Sequence, residues 1–293
     1  MSRLLLILLS LLVLCSCEKV SLEEPNTASE ATTTTKQKGN LIVSVFQLEQ
    51  TPFSSITRAV PADACTHLNF AVYSLNGTRI KQVNQTLGDT DFGKTSFQLQ
   101  EGSYRLIVVA HSSSSNPTMT DPGQIKFTNS TGYSDTFLCS GIVEIKDEPV
   151  NMNLTLERIV ALCRFVITDN YPTDVLRMRF QYTGGSGAFN ALANPAVGCV
   201  NSTQTVTYEV TTGLKQFDLY TFPLAKEGSS IHLTVSALDG NNNVLREREF
   251  DVPVKRNEIT SLTGNYFEEP TILSTVSSVN ILTEWQGETQ LTY

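Results

Sequence analysis

The residue whose setting most clearly invites chemistry is Cys17. Its thiol follows the small Ser16 in Leu14-Cys15-Ser16-Cys17, directly after an almost purely apolar run, Leu4 to Leu14, that is preceded by Arg3. Those eleven residues cover roughly 16 Å of a ~30 Å hydrocarbon layer, too little for a spanning helix, so the run reads as a secretory leader. A cysteine after a small residue at the end of such a leader matches the box at which bacterial lipoproteins are cut and acylated on sulfur. Cys15, preceded by the bulky Leu14, does not fit. Each buried methylene of an acyl chain contributes about 0.8 kcal/mol, so several chains on Cys17 predict lasting attachment to a membrane.

Other reactive side chains form no such constellation. His67, His111 and His232 are far apart in sequence and no HExxH or CxxC occurs, so neither a metal nor a cofactor is expected. Gly184-Gly185-Ser186-Gly187 lacks the Lys-Ser/Thr of a phosphate loop and makes no Gly-x-Ser-x-Gly elbow, which leaves a plain loop. His111 precedes Ser112 to Ser115 but has no neighbouring carboxylate to orient it, so the chain is not expected to be an enzyme. Four cysteines remain beyond the leader, Cys65, Cys139, Cys163 and Cys199. Export permits disulfides, and pairing Cys65 with Cys139 and Cys163 with Cys199 is the simplest arrangement, a buried free thiol at Cys163 the alternative. With 21 basic against 29 acidic residues and a net charge of -8, the chain offers no footprint for nucleic acid.

The elements that must carry these residues are strands. After the leader (residues 1–16), Glu18 to Asn40 holds Glu23, Glu24, Pro25 and the Thr32 to Thr35 run and almost no large apolar residue. It reads as a tether (17–40), whose twenty-three residues from Glu18 span roughly 27 Å r.m.s. as a coil. From Leu41 the pattern has period two. Leu41, Val43 and Val45 share one face, with Ile42, Phe46 and Leu48 on the other. Leu68, Phe70 and Val72 lead to Asn76-Gly77, the signature of a type I′ hairpin. The continuous apolar middle of Tyr104 to Ala110 marks a central strand. The pattern restarts near Glu157 with Ile159 to Ile167, and His232 to Leu238 pairs with Val244 to Val254 across Asp239-Gly240. Many short strands in two sets predict an all-β fold of two tandem β-sandwich domains, 41–156 and 157–293.

Taken together, several segments resemble the fimbrillin and fimbrial-anchor lipoproteins of Bacteroidetes (FimA/FimB-type). They are the box at Cys17, Asn40 to Phe46, Thr57-Arg58-Ala59, Leu68 to Tyr73 with Asn76-Gly77, Leu156-Glu157-Arg158, Val160 to Arg164, Val252 to Asn257 continuing through Thr260, Leu262 and Gly264, and Thr283-Glu284-Trp285. The resemblance implies two Greek-key, transthyretin-like sandwiches joined to other pilus subunits by strand exchange, on the cell outer membrane through the Cys17 lipid. It implies a role as fimbrial anchor or assembly subunit with lipid and first strand retained. One alternative is a stalk or tip subunit cut between Arg58 and Ala59. Another is a surface lipoprotein that binds glycans, and ligands on host or bacterial surfaces are partners under either. The tail with Val276, Val279, Ile281 and Trp285 is read either as a donor strand or as the closing strand of the second sandwich.

Overall fold

A computed structural model describes residues 40–50, 57–59, 61–127, 132–268 and 288–293. The first half holds β1 (Leu41–Gln50), β2 (Thr57–Ala59), β3 (His67–Ser74), β4 (Arg79–Thr86), β5 (Lys94–Phe97), β6 (Gly102–His111), β7 (Ile125–Lys126), β8 (Thr136–Ile145) and β9 (Val150–Arg158), with one helical turn, α1 (Pro61–Ala64). The second holds β10 (Ala161–Ile167), β11 (Arg177–Ser186), β12 (Ala188–Asn190), β13 (Val197–Gly198), β14 (Asn201–Glu209), β15 (Gln216–Pro223), β16 (Ser229–Leu238), β17 (Val244–Val254), β18 (Ile259–Gly264) and β19 (Glu288–Thr292). The all-β reading holds, and the passage from the first sheet to the second is Ile159-Val160.

Each half folds one eight-stranded sheet into two layers. In the first, β4-β3-β6-β8 faces β9-β1, with β5 and β2 sharing the far edge of β1. The layers are joined where Phe137 and Leu138 pair with Arg158 and Glu157. Leu41, Val43, Phe70, Val108, Phe137 and Leu156 fill the space between them. In the second, β14-β11-β16-β17 faces β15-β10-β18-β19 around Phe165, Phe180, Phe217, Leu233 and Tyr266. The period-two alternation in the sequence is this burial of one face per strand.

β3 and β6 are buried on both faces, which accounts for the continuous apolar run in β6. Ala71, Tyr73, Ile107 and Val109 point away from the first core into a third, shared with Ile159, Val160, Leu162, Phe189, Phe222 and Ile259. An excursion from each half adds main-chain continuity, because β7 of the first pairs with β12 of the second in a small sheet, β13-β12-β7. Lys38 to Tyr293 accordingly form one compact unit.

Three local readings are corrected. At Asn76-Gly77 only Gly77 takes a left-handed φ, 90°, and the Gly77 N–H bonds Ser74 O, so the turn is not type I′. In the Asp239 loop the left-handed residue is Asn242 at 68°, while the Asp239 carboxylate accepts N–H bonds from Asn241 and Asn243. Gly184, Gly185 and Ser186 are strand, not loop: β11 leaves β16 there and pairs with β15. A Cβ on Gly184 or Gly185 would collide with Ser230 or Thr221, so that close crossing needs glycine.

Candidate functional site

The resemblance to strand-exchanging proteins directs attention to β1 and its berth. β1 is not an edge strand. It lies parallel to β9, Leu41 opposite Val150 through to Glu49 opposite Glu157, and antiparallel to β5 and then β2 on its other side. A bulge interrupts the β9 register between Val45 and Gln47 and turns Phe46 to solvent at 66% exposure. Leu48 therefore joins Leu41, Val43 and Val45 in the core, where simple alternation had placed it on the opposite face. Burying four such side chains is worth roughly 1.5–3 kcal/mol each, so withdrawing β1 would open a groove through the middle of a layer.

Arg58 is held beside this strand. It lies on β2, opposite Glu49, and the peptide bond to Ala59 sits within a paired segment. Cys17 lies outside the described residues, as do Val276, Val279, Ile281 and Trp285.

β19, a strand the sequence pattern did not reveal, lies parallel to β18, Ile259 opposite Glu288 through to Thr263 opposite Thr292. Tyr293 beyond it is the fastening. Its ring stacks on Phe165 at 4.8 Å and meets Phe250 edge-on at 4.9 Å, the Arg248 guanidinium lies 4.9 Å from its centre, and its hydroxyl donates to Val166 O at 3.0 Å. Burial pushes that hydroxyl's pKa well up. Glu-Thr-Gln-Leu-Thr-Tyr is too short and polar to announce a strand; Tyr293 was the available hint.

The Arg256-Asn257 segment now has a physical reading. Asn257 takes a left-handed φ of 59° and donates its N–H to Val160 O at 2.8 Å, which closes the turn at the junction of the halves. Its side-chain oxygen accepts from Arg158 at 3.0 Å, and Arg158 makes a two-pronged bond to Asp135, 2.7 Å on each arm, above the Phe137 ring. Leu262 enters the second core, and Gly264 is small because a Cβ would strike the Tyr293 backbone.

The expected disulfides are absent: Cys65, Cys139, Cys163 and Cys199 are free thiols. Cys65 donates to Pro61 O at 3.3 Å, Cys163 is enclosed in the second core, and Cys199 is exposed beyond β13. Burial pushes Cys65 and Cys163 up to about 12. His111 is equally interior. Its Nδ1 accepts the Ser113 N–H, its Nε2 bonds Asn69 at 2.9 Å, and it stacks 5.0 Å from His67. Burial, with His67 beside it, lowers its pKa to about 3, so it is neutral and structural. Among the described residues no group of three His, Cys, Asp or Glu side chains could hold a metal ion.

Several solved structures are similar in arrangement at low identity. One is a candidate adhesin of Bacteroides ovatus, at 14% identity and a TM-score of 0.47, covering 78% of this chain and 88% of that one. A fimbrial assembly protein of Parabacteroides distasonis gives 13% and 0.40, covering 77% and 89%. The fimbrial anchor protein Mfa2 of Porphyromonas gingivalis gives 10% and 0.39, covering 71% and 80%. No curated protein matches the chain. A family description does match, over residues 34–292, and the chain belongs to that family, a family of unknown function (DUF6562).

Proposed function

We propose that this protein is a surface lipoprotein of a pilus whose work is mechanical and not enzymatic: a fimbrial anchor fixed to the outer membrane by the acylated Cys17. The observation that carries this reading is the position of β1. Asn40, the first described residue, leads directly into β1, a central strand. Tension on the lipid would then act along β1, and its main-chain bonds to β9 on one side and to β5 and β2 on the other would be loaded in shear together. Four buried side chains add to the resistance.

The placing of Arg58 within paired β2 favours retention of β1 over its removal, and so the anchor over the stalk reading. Proteases take extended, unpaired segments, and three pairs to β1 must be undone first. The mature N-terminus separates the two. An acylated Cys17 on cell-surface protein is expected, together with release of pili into the medium by Cys17→Ala. A mature chain beginning at Ala59 would replace the anchor with a polymerising subunit.

A further inference from the structure

The two halves repeat one another. Layers β4-β3-β6-β8 and β5-β1-β9 of the first have the strand order of β14-β11-β16-β17 and β15-β10-β18 in the second. In both, the first strand runs parallel to the last: β1 to β9, β10 to β18. The repeat fails at one edge. The outer side of β18 is covered by β19, whose Tyr293 reaches across to Phe250 of β17. The same side of β9 is uncovered from Val150 to Leu156 among the described residues, since β8 joins it only at Glu157 and Arg158.

Near the end of that stretch, at Thr155, it borders a cleft of about 480 Å³ between β8, the end of β9, and the loop Ala191 to Ala196 of the second half. Two apolar side chains lining it are largely exposed, Ile142 at 61% and Leu192 at 48%. A Cβ on Gly141 of β8 would meet only open space. Arg105 and Arg256 line the same cleft with one carboxylate, Glu157, which Arg256 meets at 3.4 Å, so the lining keeps a net positive charge in a molecule whose net charge is -8. Exposed strand edges usually carry blocking charges or bulges; Val150 to Leu156 carries no charged residue, and an unblocked edge beside a locally cationic cleft is a template for another strand.

We propose that this cleft receives one extended segment of a different protein, added parallel to β9 along Asn151 to Thr155, with apolar side chains against Ile142 and Leu192 and carboxylates toward Arg105 and Arg256. The repeat supplies the shape, because β19 fills the corresponding place in the second half. The excess positive charge of the lining, two arginines to one carboxylate, supplies the charge preference. A foreign chain is the occupant because, among the described residues, this chain's own strand of that kind, β19, is fastened in the second half through Tyr293. The inference is independent of the anchor reading: among the described residues the edge is bare with β1 in place, and neither Cys17 nor Arg58 takes part.

The test uses the full chain and a fluorescent eight-residue peptide alternating valine with threonine and glutamate, alongside a copy with lysine for glutamate. Anisotropy should register the glutamate peptide with a Kd below about 1 mM and the lysine peptide at least about tenfold weaker. Amide exchange should slow at Asn151 to Thr155. Ile142→Asp and Leu192→Asp, both at exposed positions, should each weaken the glutamate peptide about tenfold or more, while Phe46→Asp, outside the cleft, should leave it unchanged. No binding at 1 mM, binding indifferent to both cleft substitutions, or protection confined to other strands would overturn the proposal.

Discussion

Arg158 joins the halves through a single side chain. It is 4% exposed, and its guanidinium is shared between Asp135 of the first half and Asn257 of the second. A buried charge is tolerated only with its hydrogen bonds complete, so Arg158→Ala, which leaves Asp135 unpaired, should cost about 3–5 kcal/mol in urea unfolding. Arg158→Lys should recover little of it, because an ammonium cannot reproduce the fork. His111 makes a pH prediction with a definite sign. Its pKa is depressed on folding, from 6.5 to about 3, so the unfolded chain binds the proton first as pH falls. Its burial therefore costs nothing above 6.5, and stability is lost from 6.5 down toward 3, by up to about 1.4 kcal/mol per pH unit. His111→Gln should remove that slope. The difference in unfolding free energy between the two proteins, measured from pH 7 to pH 4, should shrink as acid is added, and a constant difference would refute the account.

At the level of elements, β1 is a central strand, paired with β9 on one side and with β5 and β2 on the other. Its bulge makes neighbouring positions energetically unlike. Leu48→Ala, a fully buried deletion, should lower stability by about 2–5 kcal/mol, whereas Phe46→Ala on the solvent side should change it by no more than about 0.5 kcal/mol. The same pair bears on processing. Leu48 lies opposite Ala59 in the β1–β2 pairing, so weakening that end of β1 should speed tryptic cleavage after Arg58. N-terminal sequencing should then find Ala59 earlier in Leu48→Ala than in Phe46→Ala, and equal rates would mean that β2 does not shield the bond. The strand itself was legible from alternation. The bulge was not, because an extra residue leaves no mark in a period-two pattern until the partner register is known.

Across the whole molecule, the third core is what makes one unit of two repeats. Phe222 stacks on Phe127 of the first half at 6.0 Å and touches Phe189 at 5.0 Å. Phe222→Ala should cost about 3–5 kcal/mol. Since both halves border that core, chemical denaturation followed by fluorescence and by circular dichroism should lose both together at a lower midpoint. Two separated transitions in the native protein would show that the junction couples them less than its burial implies.

What the sequence determined by itself is whatever depends on local spacing: strand identity, because side chains alternate about the backbone, and the central place of β6, because burial on both faces needs a continuous apolar run. What only the tertiary structure decided depends on partners distant in the chain. The free state of the four cysteines, the neutral His111, the Arg158 clasp, the bare edge of β9 and the berth of β19 all turn on which strand lies beside which, and pairing energy comes from main-chain groups that every residue carries alike.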